Sequence, residues 1–79
     1  MLNLDIFIYK YRLTTFDNNN KHILCNNVYE ECRLNEGIKD FNNQVALHHN
    51  IDGDNVSIIL QDIESLAVIK EYDTEFDNT

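Results

Sequence analysis

"VALHHNIDGDNVSIIL", Val45 to Leu60, is the stretch on which the fold turns. Val45, Leu47, His49 and Ile51 alternate with Ala46, His48 and Asn50, and beyond Asp52-Gly53 the apolar residues Val56, Ile58 and Leu60 alternate again. A period of two is that of a strand with one buried face. Asp-Gly is a favoured centre for a two-residue type I′ turn, because both central positions need positive φ. The pattern therefore predicts a β-hairpin, with His49 opposite Val56 and Leu47 opposite Ile58. A four-residue loop, Asp52 to Asn55, pairs Leu47 with Leu60 instead and keeps the same faces. In either case His49 is expected to face the core and His48 to face outward beside Ser57.

The same stretch concentrates imidazoles and carboxylates, which raises the question of a metal. Adjacent residues on a strand point to opposite faces, so His48 and His49 cannot close on one ion. A calcium loop with Gly53 at its glycine position needs an oxygen ligand at its first position and a bidentate acid at its twelfth, and finds His48 and Ile59 there. No metal and no other cofactor is expected.

Working outward, "LDIFIYKYRLTT" (Leu4–Thr15) is rich in β-branched and aromatic residues, with Phe7, Tyr9, Tyr11 and Leu13 on one face and Leu4, Ile6 and Ile8 on the other. "FDNNNK" is a turn cluster whose Asp and Asn side chains can bond their own backbone and tolerate positive φ, and "HILC" returns as a second strand. In "NNVYEECRLNEGIKDF", Asn27 followed by Glu30 has the form of a capping box, which predicts a helix over Val28–Glu36 with Gly37 at its C-terminal end. Ile38 and Phe41 lie where they could prolong the helical stripe. After Leu60, Gln61–Ser65 reads as a tight bend and Leu66–Tyr72 as a last strand. The fold class expected is α+β, a small antiparallel sheet with one helix in ββαββ order and room for a fifth strand. Residues 1–72 make one domain, and 73–79 an acidic tail expected to fray.

Bulk properties narrow the function. The chain has 79 residues, 43% hydrophobic and 25% charged, with no proline and two glycines. That composition suits a compact domain near the lower size limit for a self-sufficient core. No apolar run approaches the roughly 20 residues of a membrane span, and "MLNLDIFIYKYR" lacks the marks of a signal peptide, so a cytoplasmic location and no membrane contact are expected. Cys25 and Cys32 fit neither a C-x-x-C motif nor a zinc knuckle and are expected to be reduced, mostly buried thiols.

The net charge is −8, from fourteen acids against six Lys and Arg. Residues 61–79 carry six of the acids against Lys70 alone. Such a field repels phosphate and steers the protein toward a basic surface, so direct nucleic-acid binding is not expected. Catalysis has little support. Ser57 and His48 would be cross-strand neighbours in the hairpin, but no glycine-rich oxyanion loop or phosphate-binding loop accompanies them. The protein reads as no enzyme.

The order "YRLTTFDNNNKHIL", "NNVYEECR" and a hairpin ending in "VSIILQDIESLAVI", together with twelve asparagines, resembles that of very small acidic proteins encoded by phages and mobile elements of low-GC bacteria. What the resemblance implies is an inhibitor of host defence, of the anti-CRISPR or anti-restriction kind, working in the host cytoplasm by occupying a basic nucleic-acid groove on a protein such as a defence nuclease. The acidic residues expected to meet the partner are Asp62, Glu64, Glu71, Asp73 and Glu75, with Glu30, Glu31 and Glu36 as a second cluster on the helix. An apolar alternative places the interface, or a homodimer contact, on Ile6, Ile8, Tyr9 and Tyr11, because one short helix covers one face of a sheet. Two further readings stay open. One is a sponge for a signalling nucleotide, held at a subunit interface by cations or backbone donors near Lys10, Arg12, Lys21 or Arg33. The other is a housekeeping or assembly module whose acidity only solubilises it.

Overall fold

The structure, a computed structural model, describes residues 8–49, 51 and 53–74. Its elements run β1 (Tyr9–Asp17), β2 (His22–Glu30), a 3-10 turn (Glu31–Arg33), α1 (Leu34–His49), β3 (Val56–Asp62) and β4 (Val68–Asp73). The order is strand-strand-helix-strand-strand, and the sheet is antiparallel with spatial order β2-β1-β3-β4. The fold is therefore α+β, as the sequence predicts, with four strands among the described residues. Of the opening run, Leu4, Ile6 and Phe7 lie outside the described residues.

Both hairpins are closed by the same device. In β1–β2 the Asp17 carboxylate accepts the backbone N–H of Asn19 (2.9 Å) and Asn20 (3.3 Å), while its carbonyl accepts the N–H of Lys21 (2.8 Å), which has φ of 61°. In β3–β4 the Asp62 carboxylate accepts from Glu64 (2.9 Å) and Ser65 (3.0 Å), and its carbonyl from Leu66 (2.9 Å), with φ of 63°. An aspartate satisfies the turn's inner donors, and the fourth residue after it takes the left-handed conformation that turns the chain back. That position falls on a lysine and a leucine, although asparagine and glycine take it at lower cost.

The helix departs from the sequence reading. Val28–Glu30 belong to β2, Glu31–Arg33 form the 3-10 turn, and α1 begins only at Leu34, runs through Gly37 and ends at His49. The stretch Val45–His49 is thus helix, and no hairpin joins it to β3. The reason is visible in what each period buries. Leu34, Ile38, Phe41, Val45 and His48 recur at spacings of three and four and turn one stripe onto the sheet. The alternating set is left out, with Leu47 59% and Ile51 52% exposed. Gly37 does not stop the helix; it lies inside α1, buried against the sheet. A Cβ there would stand 3.4 Å from Leu60 Cδ1 and 3.4 Å from Tyr29 Cδ2, so this turn of α1 packs directly over β2 and β3.

The core lies between α1 and one face of the sheet: Tyr11 and Leu13 of β1, Tyr29 of β2, Phe41 of α1, and Val56, Ile58 and Leu60 of β3. Register makes this one layer, since Leu13 sits opposite Leu60, Thr15 opposite Ile58 and Asp17 opposite Val56. Thr15 is fully buried, and its hydroxyl donates to Gln44 Oε1 of α1 at 2.9 Å. The alternation of Val56, Ile58 and Leu60 is as expected. Tyr11, placed among the interface residues of the apolar alternative, is instead a core residue, because β1 turns it under the helix.

Candidate partner-binding surface

Alternation sends Arg12, Thr14 and Phe16 of β1, Ser57, Ile59 and Gln61 of β3, and Glu71 and Asp73 of β4 to the face that α1 leaves open. Lys70, the cation of β4, points the other way. Its ammonium lies 5.4 Å from the centre of the Phe41 ring and 3.5 Å from Asn42 Oδ1 on α1. β4 therefore separates its charges, with carboxylates on the open face and its lysine against the helix. Glu64, in the turn before β4, is exposed, and so are Leu66 (66%), Val68 (51%) and Ile69 (36%). Among the described residues, Glu64 and Glu71 have no ion-pair partner.

The other acids expected at the surface have local duties. Asp62 closes its turn and is also bridged by Lys10 Nζ at 2.9 Å, so it belongs to the framework and is not a free carboxylate. The N–H donors of Ser65 and Glu64, with the Lys10 ammonium, hold its carboxyl down at about 2. The same hydrogen bond and charge push Lys10 up. Asp73 ends β4 and accepts from Ser57 Oγ at 3.0 Å. Thr74, expected in a fraying tail, is 5% exposed and receives the Val56 N–H at 3.0 Å. Glu75 and the rest of the tail lie outside the described residues.

The second cluster does not ride on one helix. Glu30 ends β2, Glu31 opens the 3-10 turn, and Glu36 is in the first turn of α1, paired with Arg33 at 3.0 Å. Glu30, Glu36 and Asp40 line a cleft of about 300 Å³ beside Val28, Tyr29 and Arg33. Within it the Tyr29 hydroxyl donates to Asp40 Oδ2 at 2.8 Å. Burial, followed by this acidic neighbour, pushes the phenol up to about 12.

The histidines exchange the roles expected of them. His48 is buried near the end of α1, with Nδ1 2.6 Å from Asp54 Oδ2, which ties the helix end to the loop before β3. His49 is exposed, its Nδ1 3.2 Å from the Tyr72 hydroxyl. A helical turn of 100° per residue reverses the faces that alternation assigned. Ser57 is not beside His48; it takes a hydrogen bond from Asn18 Nδ2 at 3.0 Å and gives one to Asp73. Among the described residues no three His, Cys, Asp or Glu side chains converge as a metal site would require. Cys25 is half-buried and Cys32 exposed, both free, so the second thiol is more open than expected; burial pushes the Cys25 thiol up.

Of the cations named for a nucleotide, Lys10 is held by Asp62 and Arg33 by Glu36. Lys21 lies at the far end of β1 from Lys10. Of the apolar alternative, Ile8 is 49% exposed just before β1 and Tyr9 is half-buried, while Ile6 lies outside the described residues. No helix of the described residues is long and apolar enough to cross a membrane.

The chain matches no protein-family model, no curated protein and no solved structure. What fold and surface define is a small α+β domain whose helix covers one sheet face and whose β4 edge presents carboxylates beside exposed apolar side chains.

Proposed function

We propose that this is a non-enzymatic binding protein that docks, through the acidic β4 edge, on a basic surface of a protein partner. Its carboxylates take places that phosphates would otherwise fill, which is how an inhibitor of a nucleic-acid-binding defence protein of the host would act. One observation carries the reading: Glu71 and Asp73 stand together on the open face, while Lys70 of the same strand is turned onto Phe41, and Glu64 is exposed in the turn before β4. Exposed charges of one sign steer encounter, and Leu66, Val68 and Ile69 beside them supply the apolar contact that holds a complex once formed.

Capture from a bacterial lysate with the immobilised protein, followed by competition with duplex DNA, tests this. The expected partner binds DNA through the same surface, so DNA releases it from the protein. A captured partner that binds DNA and this protein simultaneously refutes the phosphate-replacing reading.

A further inference from the structure

Among the described residues the sheet ends in β2 on one side and β4 on the other, and these edges are dressed differently. β4 carries Lys70, Glu71 and Asp73 within six residues, a charged guard of the kind that keeps edge strands from pairing with other chains. β2 is nine residues long and has ionisable groups only toward its ends, His22 and Glu30, apart from the thiol of Cys25 and the phenol of Tyr29. Between them it has no lysine and no proline. Ile23, Leu24 and Val28 are 54%, 46% and 37% exposed. Among the described residues, β2 pairs with β1 and with no strand on its other side.

Charge says which strand fits that edge. β2 is preceded by Lys21 and followed by Glu31, so the segment 21–31 is basic at its start and acidic at its end. A parallel copy would set like charge beside like. An antiparallel copy about Asn26 brings the start of the segment, Lys21 in the turn and His22, beside Glu30 of the partner subunit and Glu31 of the partner subunit, and places Leu24, the residue at which β2 bulges against β1, across from Val28 of the partner subunit. Lys21 thus lies near the partner's carboxylates, His22 can donate a hydrogen bond to them, and apolar pairs facing across strands stabilise a sheet.

We propose that β2 pairs with β2 of a second copy about a two-fold axis at Asn26, joining two four-stranded sheets into one of eight strands. The axis is perpendicular to the sheet, so both helices lie on one side. Both β4 edges, each with the carboxylates of Glu71 and Asp73, then stand at the outer ends, which keeps them farthest apart in a pair of molecules of charge −8 each. The inference does not rest on the acidic-edge reading, since it uses the opposite edge.

Light scattering after size exclusion, over a wide range of concentration, is expected to report a dimer that dissociates on dilution. Glu30→Lys with Glu31→Lys is expected to weaken it at least about tenfold, even though these changes take the net charge from −8 to −4 and so lessen overall repulsion. Lys21→Glu with His22→Glu is expected to weaken it too, and the four changes together to restore it. Leu24→Lys with Val28→Lys, both at exposed positions, is expected to give a folded monomer by circular dichroism. A monomer at every concentration overturns the proposal. So does a dimer that the Glu30/Glu31 reversal strengthens, or one that the fourfold variant does not restore.

Discussion

Replacing Gly37 by alanine asks whether this residue lies inside α1 or caps a helix that ends before it. Inside a helix, alanine is favoured over glycine by about 1 kcal/mol. The new methyl would be buried, worth up to about 0.8 kcal/mol. It would stand 3.4 Å from both Leu60 Cδ1 and Tyr29 Cδ2, ordinary contact distances that oblige neither side chain to move. Since part of the burial is offset where the packing is already close, Gly37→Ala is expected to stabilise the fold by about 1 to 1.5 kcal/mol, or roughly 4–12 °C in a domain of this size. Thermal and urea unfolding followed by circular dichroism measure this. Gly37→Val is the control: its extra bulk has no room beside Leu60 and Tyr29, and it is expected to destabilise by about 1 to 3 kcal/mol. If alanine lowers stability by 1 kcal/mol or more, the residue is in a left-handed cap and the account of α1 is wrong.

Asp62 ionises well below its ordinary 3.8, so its contribution is whole above about pH 4 and is lost as pH falls toward 2. Asp62→Asn keeps a turn acceptor but loses the Lys10 bridge, and is expected to flatten stability over that acid range; an unchanged acid profile contradicts the framework role. The Tyr29 proton stabilises the fold below pH 10 and ceases to as pH rises toward 12. Ultraviolet titration is expected to show a phenol ionising near 12 that Tyr29→Phe removes, and a titration left unchanged by that substitution counts against it. Leu66 is 66% exposed at φ 63°, so Leu66→Gly is expected to stabilise by about 0.5 to 1 kcal/mol in urea unfolding, and a loss of stability would mean that the turn does not hold that conformation.

Turn chemistry was legible where an aspartate closes a hairpin and misleading at Asp52-Gly53, whose hairpin signal falls on the connection from α1 to β3. "FDNNNK" reads as a hairpin turn because an Asp side chain can bond the backbone that follows it, and the alternation of Val56, Ile58 and Leu60 survives intact in β3. The helix was misplaced for two local reasons. Asn27 and Glu30 have the spacing of a capping box but occupy a strand whose Tyr29 fills the core, and Gly37 carries a stop signal that a tertiary contact overrides. Val45–His49 satisfies both periods over five residues, too few to separate them, and the outcome is settled by Phe41 and Ile38 upstream. Glu64 and Glu71 are legible as surface acids from charge alone. The confinement of Asp62 is not, because it needs Lys10, 52 residues earlier, brought alongside where β1 meets β3. Nor is the contrast between the edges, since the order β2-β1-β3-β4 depends on a β1–β3 pairing that no local pattern announces.

The central claim, that the acidic β4 edge steers this protein onto a basic partner, is tested most directly by association kinetics. The captured partner is measured against the wild type and against the variant Glu64→Gln/Glu71→Gln/Asp73→Asn, at low and at physiological salt. These amides keep the hydrogen-bond acceptor that Ser57 uses at Asp73 and leave Asp62 untouched, so circular dichroism should show an unchanged fold. The account predicts an on-rate about threefold to tenfold slower for the variant at low salt, with the difference shrinking as salt screens the field. Equal on-rates at both salts, or a partner held equally by both proteins, would contradict it.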